Sequence, residues 1–208
     1  NDAPVGPAAG ALADGVEDVA YVVSAAALLA GFTDADGDAL AVTGLAASVG
    51  TLTDNGNGTW TLTTAANFNG AVTLSYTVTD GQGGSQAAAR SLNLAPANDA
   101  PVASAVTGAA SEDGPSVTVA SSFTDADAGD SHTFAVNTAG TLGAVTNNND
   151  GTFTYSPAGA FETLSAGQTA TDTFSYTVTD AAGAASTATV TITITGQNDA
   201  PVALAVTG

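Results

Sequence analysis

The pentapeptide NDAPV occurs three times, at 1–5, 98–102 and 198–202, and its spacings of 97 and 100 residues fence off two units. Further matches recur inside each unit in the same order: Glu17-Asp18 with Glu112-Asp113, FTDAD at 32–36 with 123–127, NGTW at 57 with DGTF at 150, and SYTVTD at 75–80 with 175–180. So many ordered matches define a tandem repeat, with units at 1–97 and 98–197, and 198–208 as a linker and the start of a following repeat. About a hundred residues suffice for a hydrophobic core, and Val, Leu, Ile, Phe and Tyr recur in short alternating runs that supply one.

That alternation has the period of a strand, and the breaks between runs carry Gly, Asn, Asp and Pro. The segment 51–62 reads as a hairpin around an Asn-Gly turn, and 75–94 as a second hairpin with Gly at the turn. The second unit repeats both, at 152–155 and 174–194. No helix of useful length is signalled. About seven strands per hundred residues predict an all-β fold, two tandem immunoglobulin-like β-sandwiches set end to end. In that topology the entering segment, the B–C loop and the F–G loop share one pole, and the A–B and E–F loops share the other.

Placed on this scheme, Asp2, Asp34, Asp36, Asp38 and Asp80 gather at one pole of the first unit, and Asp99, Asp125, Asp127, Asp130 and Asp180 at the same pole of the second. Glu17 and Asp18 approach the second group from the first unit's A–B turn, while Glu112, Asp113 and Asp199 belong to the junction after the second unit. Fifteen of the 20 acids thus fall at three junctions. Crowded carboxylates repel one another, and a bound divalent cation relieves the repulsion. Calcium suits the site, because it takes 6 to 8 hard oxygens in flexible geometry. Zinc and copper favour His or Cys, of which the chain has only His132 and no Cys.

The formal charge of -19 repels nucleic acid and anionic lipid. The absence of Cys excludes disulfides, and no apolar run approaches a membrane span, so a soluble, monomeric piece internal to a longer chain is expected, with no membrane insertion. With no Cys, one His and a lone basic residue, Arg90, the usual nucleophile–base pairs do not assemble, and no enzyme is expected. His132 reads as an exposed strand residue, Trp60 as core, Asp54 and Asp150 as turn residues. Glu162 and Asp172 fall in the second unit's long E–F segment, with Glu162 a further ligand candidate beside Glu112 and Asp199.

These residues resemble two related families of bacterial repeats, the cadherin-like and VCBS repeats of large secreted adhesins of the repeats-in-toxin type. The first unit is similar to the cadherin-like variant through VED at 16, LLAGFTDADGDAL at 28, ANFNGAVTLSYTVTDGQGG at 66 and its closing NDAPV. The second is similar to VCBS repeats through EDG at 112, FTDADAGD at 123, GTLG at 140, DGTFTYSP at 150, AFETLSAGQTATDTFSYTVTD at 160 and STATVTITITGQNDAPV at 186. The resemblance implies calcium ligands at Glu17, Asn98, Asp99, Asp125, Asp127 and Asp180. It departs from the pattern at the first unit's E–F loop, where Asn67 and Asn69 stand without an acid, which implies fewer ions than at a cadherin junction. The implied role is a calcium-stiffened extender of a bacterial cell-surface adhesin, whose partners are the neighbouring repeats; a glycan- or protein-binding or homophilic module is the alternative.

Overall fold

The computed structural model describes residues 1–199, and the expected start of a following repeat lies outside them from 200 on. The chain divides into two compact units, with the boundary between Ala97 and Asn98. The first holds β1 (Ala9–Ala11), β2 (Gly15–Val16), β3 (Tyr21–Ser24), a helical turn α1 (Ala25–Leu28), β4 (Ala41–Ala47), β5 (Thr51–Asp54), β6 (Thr59–Thr63), β7 (Gly70–Thr79) and β8 (Ser85–Ala95). The second holds β9 (Val102–Ser104), β10 (Val106–Ser111), β11 (Val117–Ala120), β12 (Ser122–Thr124), β13 (Thr133–Asn137), β14 (Ala144–Asn147), β15 (Thr152–Ser156), β16 (Thr169–Thr179) and β17 (Ala185–Thr195).

Each unit is a sandwich of two sheets in the same order. In the first, β1 and β2 run parallel to β8, which pairs with β7 and then β4, against β3–β6–β5. In the second, β10–β17–β16–β13 faces β11–β15–β14, with β9 pairing β12. The first strand position is split in both. It pairs first near the B strand, through the Val5–Thr33 bridge or the β9–β12 pair, and then crosses to lie parallel to the last strand. Gly6 allows the crossing, since a Cβ there would lie 2.4 Å from the Phe32 ring.

Period-two burial explains why these segments are strands. Along β7, Val72, Leu74, Tyr76 and Val78 are buried while Thr73, Ser75 and Thr77 face outward or sit half-buried. Along β16, Phe174, Tyr176 and Val178 do the same, and Phe174 and Tyr176 meet Phe153 from β15, with ring centroids 5.8 Å apart for Phe153–Phe174. Burying each such side chain contributes about 1.5–3 kcal/mol. Trp60 packs against the first core, as expected.

No helix of useful length is expected, and the described residues hold only a single helical turn, in the SAAALLA run. The Ser24 hydroxyl accepts from the Ala27 N–H at 3.2 Å, and Leu28 enters the core. Its carbonyls are satisfied from across the sandwich. Tyr76 donates to Leu28 O at 2.6 Å, and Arg90 donates to Ala30 O at 2.8 Å. The chain's single basic residue is thus a buried structural donor, its guanidinium 5.7 Å from the Phe32 ring.

Asp172 also departs from expectation. It lies within β16, not in the E–F segment, and is buried at 4% exposure. Its carboxylate accepts from Leu142 N–H, Gly143 N–H at 2.8 Å, Tyr155 O–H at 2.8 Å and Thr173 N–H. Burial alone pushes its pKa up, but these hydrogen bonds outweigh it and hold the carboxyl below its usual range. A depressed folded-state pKa gives stability that is present above the unfolded value, near pH 4, and lost as pH falls through the folded one. Asp172→Asn should therefore destabilise the second unit by about 1–3 kcal/mol at pH 7 in chemical denaturation. The gap to the parent should narrow below about pH 4; a gap independent of pH contradicts this account.

Candidate metal centres at the poles of each unit

The same four contacts recur in each unit, two ordering the loops themselves and two tying the entering segment to them. In the first unit, Asp34 Oδ1 accepts from Asp36 N–H at 2.9 Å, and Asp36 Oδ2 accepts from Asp2 N–H at 2.6 Å. Asp80, in the β7–β8 loop, accepts from Asn1 Nδ2 at 2.9 Å and from Gly84 N–H at 3.0 Å. In the second, Asp125 Oδ1 accepts from Asp127 N–H at 3.0 Å, and Asp127 Oδ2 from Asp99 N–H at 2.7 Å. Asp180 accepts from Asn98 Nδ2 at 2.9 Å and from Ala184 N–H at 2.8 Å.

Strand register places these groups. The acids sit in the loop before β4 or β13 and the turn after β7 or β16, and the paired strands hold the two loops side by side. Gly84 lets the entering segment approach, since a Cβ there would lie 2.2 Å from Asp80 Oδ2 and 2.7 Å from Ala3 Cα. The Asn1 hydrogen bond holds Asp80 below the usual carboxylate range, and that from Asn98 does the same for Asp180. Both groups are therefore anionic at neutral pH despite burial.

Among these acids, Asp34, Asp36 and Asp38 each offer an oxygen within 4.8 Å of the others. Two oxygens on one calcium stand at most about 5 Å apart, so this spacing fits a shared ion. Asp34 Oδ2 is buried with no hydrogen-bond partner among the described residues. A desolvated carboxylate oxygen left this way is unfavourable unless a cation meets it.

The opposite pole carries the A–B acids. Glu17 is 2% exposed; Oε1 accepts from Ala97 N–H at 2.8 Å and Oε2 from Asn69 Nδ2 at 3.0 Å. Asp18, at φ 59°, accepts from Asn67 N–H at 2.9 Å, which anchors the E–F loop. Asn67 and Asn69 thus act as donors to the acids. In the second unit, Glu112, Asp113 and Asp199 each bring an oxygen within 4.8 Å of the others, and the buried Glu112 Oε2 has no hydrogen-bond partner among the described residues. Desolvation, and then the charges of Asp113, Asp199 and Glu112, push the Glu162 carboxyl up, so Glu162 senses this cluster. Asp130 sits at the second unit's other pole, its N–H donating to Asp127 O at 3.3 Å.

One reading is corrected. His132 is 13% exposed, not an exposed strand residue, and its Nε2 lies 2.7 Å from Asp125 Oδ2. The hydrogen bond to His132 is the main reason that Asp125 lies below its usual pKa. The Asp172 network was also missed, although TATDTFSYTVTD places Asp172 in phase with Phe174, Tyr176 and Val178.

Residues 1–95 match the model of a cadherin-like domain, and 98–196 that of a bacterial cadherin-like domain. No curated protein matches the chain. Among solved structures, Drosophila N-cadherin EC1-4 is similar over 94% of this chain and 50% of its own length, at 18% identity and TM-score 0.56. Human CDH23 EC21-23 is similar over 88% of this chain and 67% of its own, at 14% identity and TM-score 0.53. At these identities the likeness speaks to fold, and the chain spans only half of the Drosophila structure. No helix among the described residues is long and apolar enough to cross a membrane. The chain belongs to the cadherin-like repeats: it is a tandem pair of such domains, a class of extracellular adhesion or extender modules, the second of the bacterial kind.

Proposed function

We propose that the two units are calcium-stiffened extender repeats of a secreted bacterial surface adhesin of the repeats-in-toxin type, the second unit being of the VCBS kind. They hold a distal ligand-binding domain away from the cell. The observation that carries the reading is the pair of buried carboxylate oxygens, Asp34 Oδ2 and Glu112 Oε2, that have no hydrogen-bond partner among the described residues, each within a cluster of acids spaced for one hard cation. Calcium supplies the positive charge that these oxygens lack.

On this reading the pole formed by Asn98, Asp99, Asp125, Asp127, Asp130 and Asp180 takes up calcium together with Glu17 and Asp18 of the preceding repeat, so an ion crosslinks consecutive domains. Asp2, Asp34, Asp36, Asp38 and Asp80 serve a repeat before the first unit in the same way. Glu112 and Asp199 serve one after the second. Tyr76, Tyr155 and Tyr176 are buried in the sandwiches and Tyr21 is half-buried with its hydroxyl on Ala13 O, so no row of exposed tyrosines among the described residues favours the glycan-binding alternative.

Calcium at a hundredfold excess over its dissociation constant should stabilise the fold by about 2.7 kcal/mol and raise Tm by roughly 10 °C. Scanning calorimetry in calcium against chelator checks this, and coincident curves refute it. Replacing both Asp125 and Asp127 by Ala should leave both sandwiches folded by circular dichroism, because loops supply the ligands and strands the core. It should also abolish the calcium-dependent gain in maximum dimension in small-angle scattering. A double variant that still extends in calcium removes these residues from the joint.

A further inference from the structure

The two units differ at one position beside the B–C acids. Strand pairing fixes the correspondence: Ala41 pairs with Thr79 in the first unit and Thr133 with Thr179 in the second, so Leu40 and His132 occupy the same register position. Leu40 packs on the first core and offers Asp34 no donor, and Asp34 Oδ2 stays buried without a hydrogen-bond partner among the described residues. In the second unit the equivalent oxygen, Asp125 Oδ2, lies 2.7 Å from His132 Nε2.

An ionised carboxylate only accepts, so Nε2 carries the hydrogen and donates it. The ring is fixed for this task. It packs at a tilt of 58° against Phe123 with centroids 4.7 Å apart, and Phe123 in turn meets Phe134 edge-on at 5.7 Å. Histidine and aspartate are 13% and 6% exposed, so little water competes for the contact. The donor therefore sits on the oxygen that the first unit leaves open to a cation.

We infer that His132 stands in for the cation at Asp125, so that the second unit's B–C pole is held together without an ion and binds calcium more weakly than the first unit's. The inference rests on the calcium reading above. It also makes the two repeats unequal: as calcium rises, the first unit's pole fills before the second's, where the ion must first displace or share the imidazole contact. One substitution at a fixed register position thereby sets the calcium threshold of a repeat.

Calcium titration of the intact two-unit chain by amide NMR tests this, with Gly37 and Gly129 reporting on the two B–C loops. The parent chain should show a lower midpoint at Gly37 than at Gly129. His132→Leu, which installs the first unit's residue, should lower the Gly129 midpoint roughly tenfold or more and leave Gly37 unmoved. The same variant should melt earlier than the parent in chelator. Should it not fold, His132→Asn withdraws the donor on a shorter polar side chain and should shift the same midpoint the same way. An unchanged or raised Gly129 midpoint in the folded variant overturns the inference while leaving calcium binding intact. A parent chain in which neither glycine responds to calcium overturns the calcium reading and the inference with it.

Discussion

Backbone N–H groups and asparagine side-chain amides gripping carboxylates at the ends of each sandwich are the interaction on which the rest of this protein depends. Asp80 and Asp180 each tie a hairpin turn to the entering segment, and Asp36 and Asp127 tie that segment to the B–C loop. The bonds to Asp80 and Asp180 hold those two carboxyls below their usual range, so local order and local negative charge have one source there. Two like charges 4 Å apart repel by about 1 kcal/mol in water and about 4 kcal/mol near a protein surface. A pole built this way is ordered, anionic and short of positive charge.

The interior solves the opposite problem. Arg90 and Asp172 are both buried, yet neither meets an opposite charge among the described residues. Arg90 is satisfied by carbonyl groups around the helical turn, and Asp172 by N–H groups and the Tyr155 hydroxyl. Each unit therefore satisfies its buried charge with neutral donors and acceptors and gathers its acidic clusters at its ends. The Thr- and Ser-rich outer faces of β7 and β16 carry no charged side chain at all.

Much of this was legible from residue order. The hairpins around 55–58 and 81–84 follow from Asn-Gly and Gly-rich turns between alternating runs, and the acids fall in the loops to which the repeat assigns them. The helical turn at Ala25–Leu28 was not legible, because four residues with one serine cap are set by the packing of Leu28 rather than by propensity. The split first strand was equally hidden, since β1 and β2 are too short to show a period. His132 escaped because its role depends on register. Only the pairing of Thr133 with Thr179 shows that it stands beside Asp125. Asp172 lies in β16 because it is in phase with Phe174, Tyr176 and Val178, a signal that its charge obscures.

The central claim is that the carboxylate oxygens Asp34 Oδ2 and Glu112 Oε2 at the poles, without a hydrogen-bond partner among the described residues, are cation ligands. Anomalous diffraction from crystals grown in calcium tests it most directly. The account predicts density peaks about 2.3–2.6 Å from Asp34 Oδ2 and from Glu112 Oε2. Ordered carboxylates at both positions, turned to water with no anomalous peak between them, would contradict it.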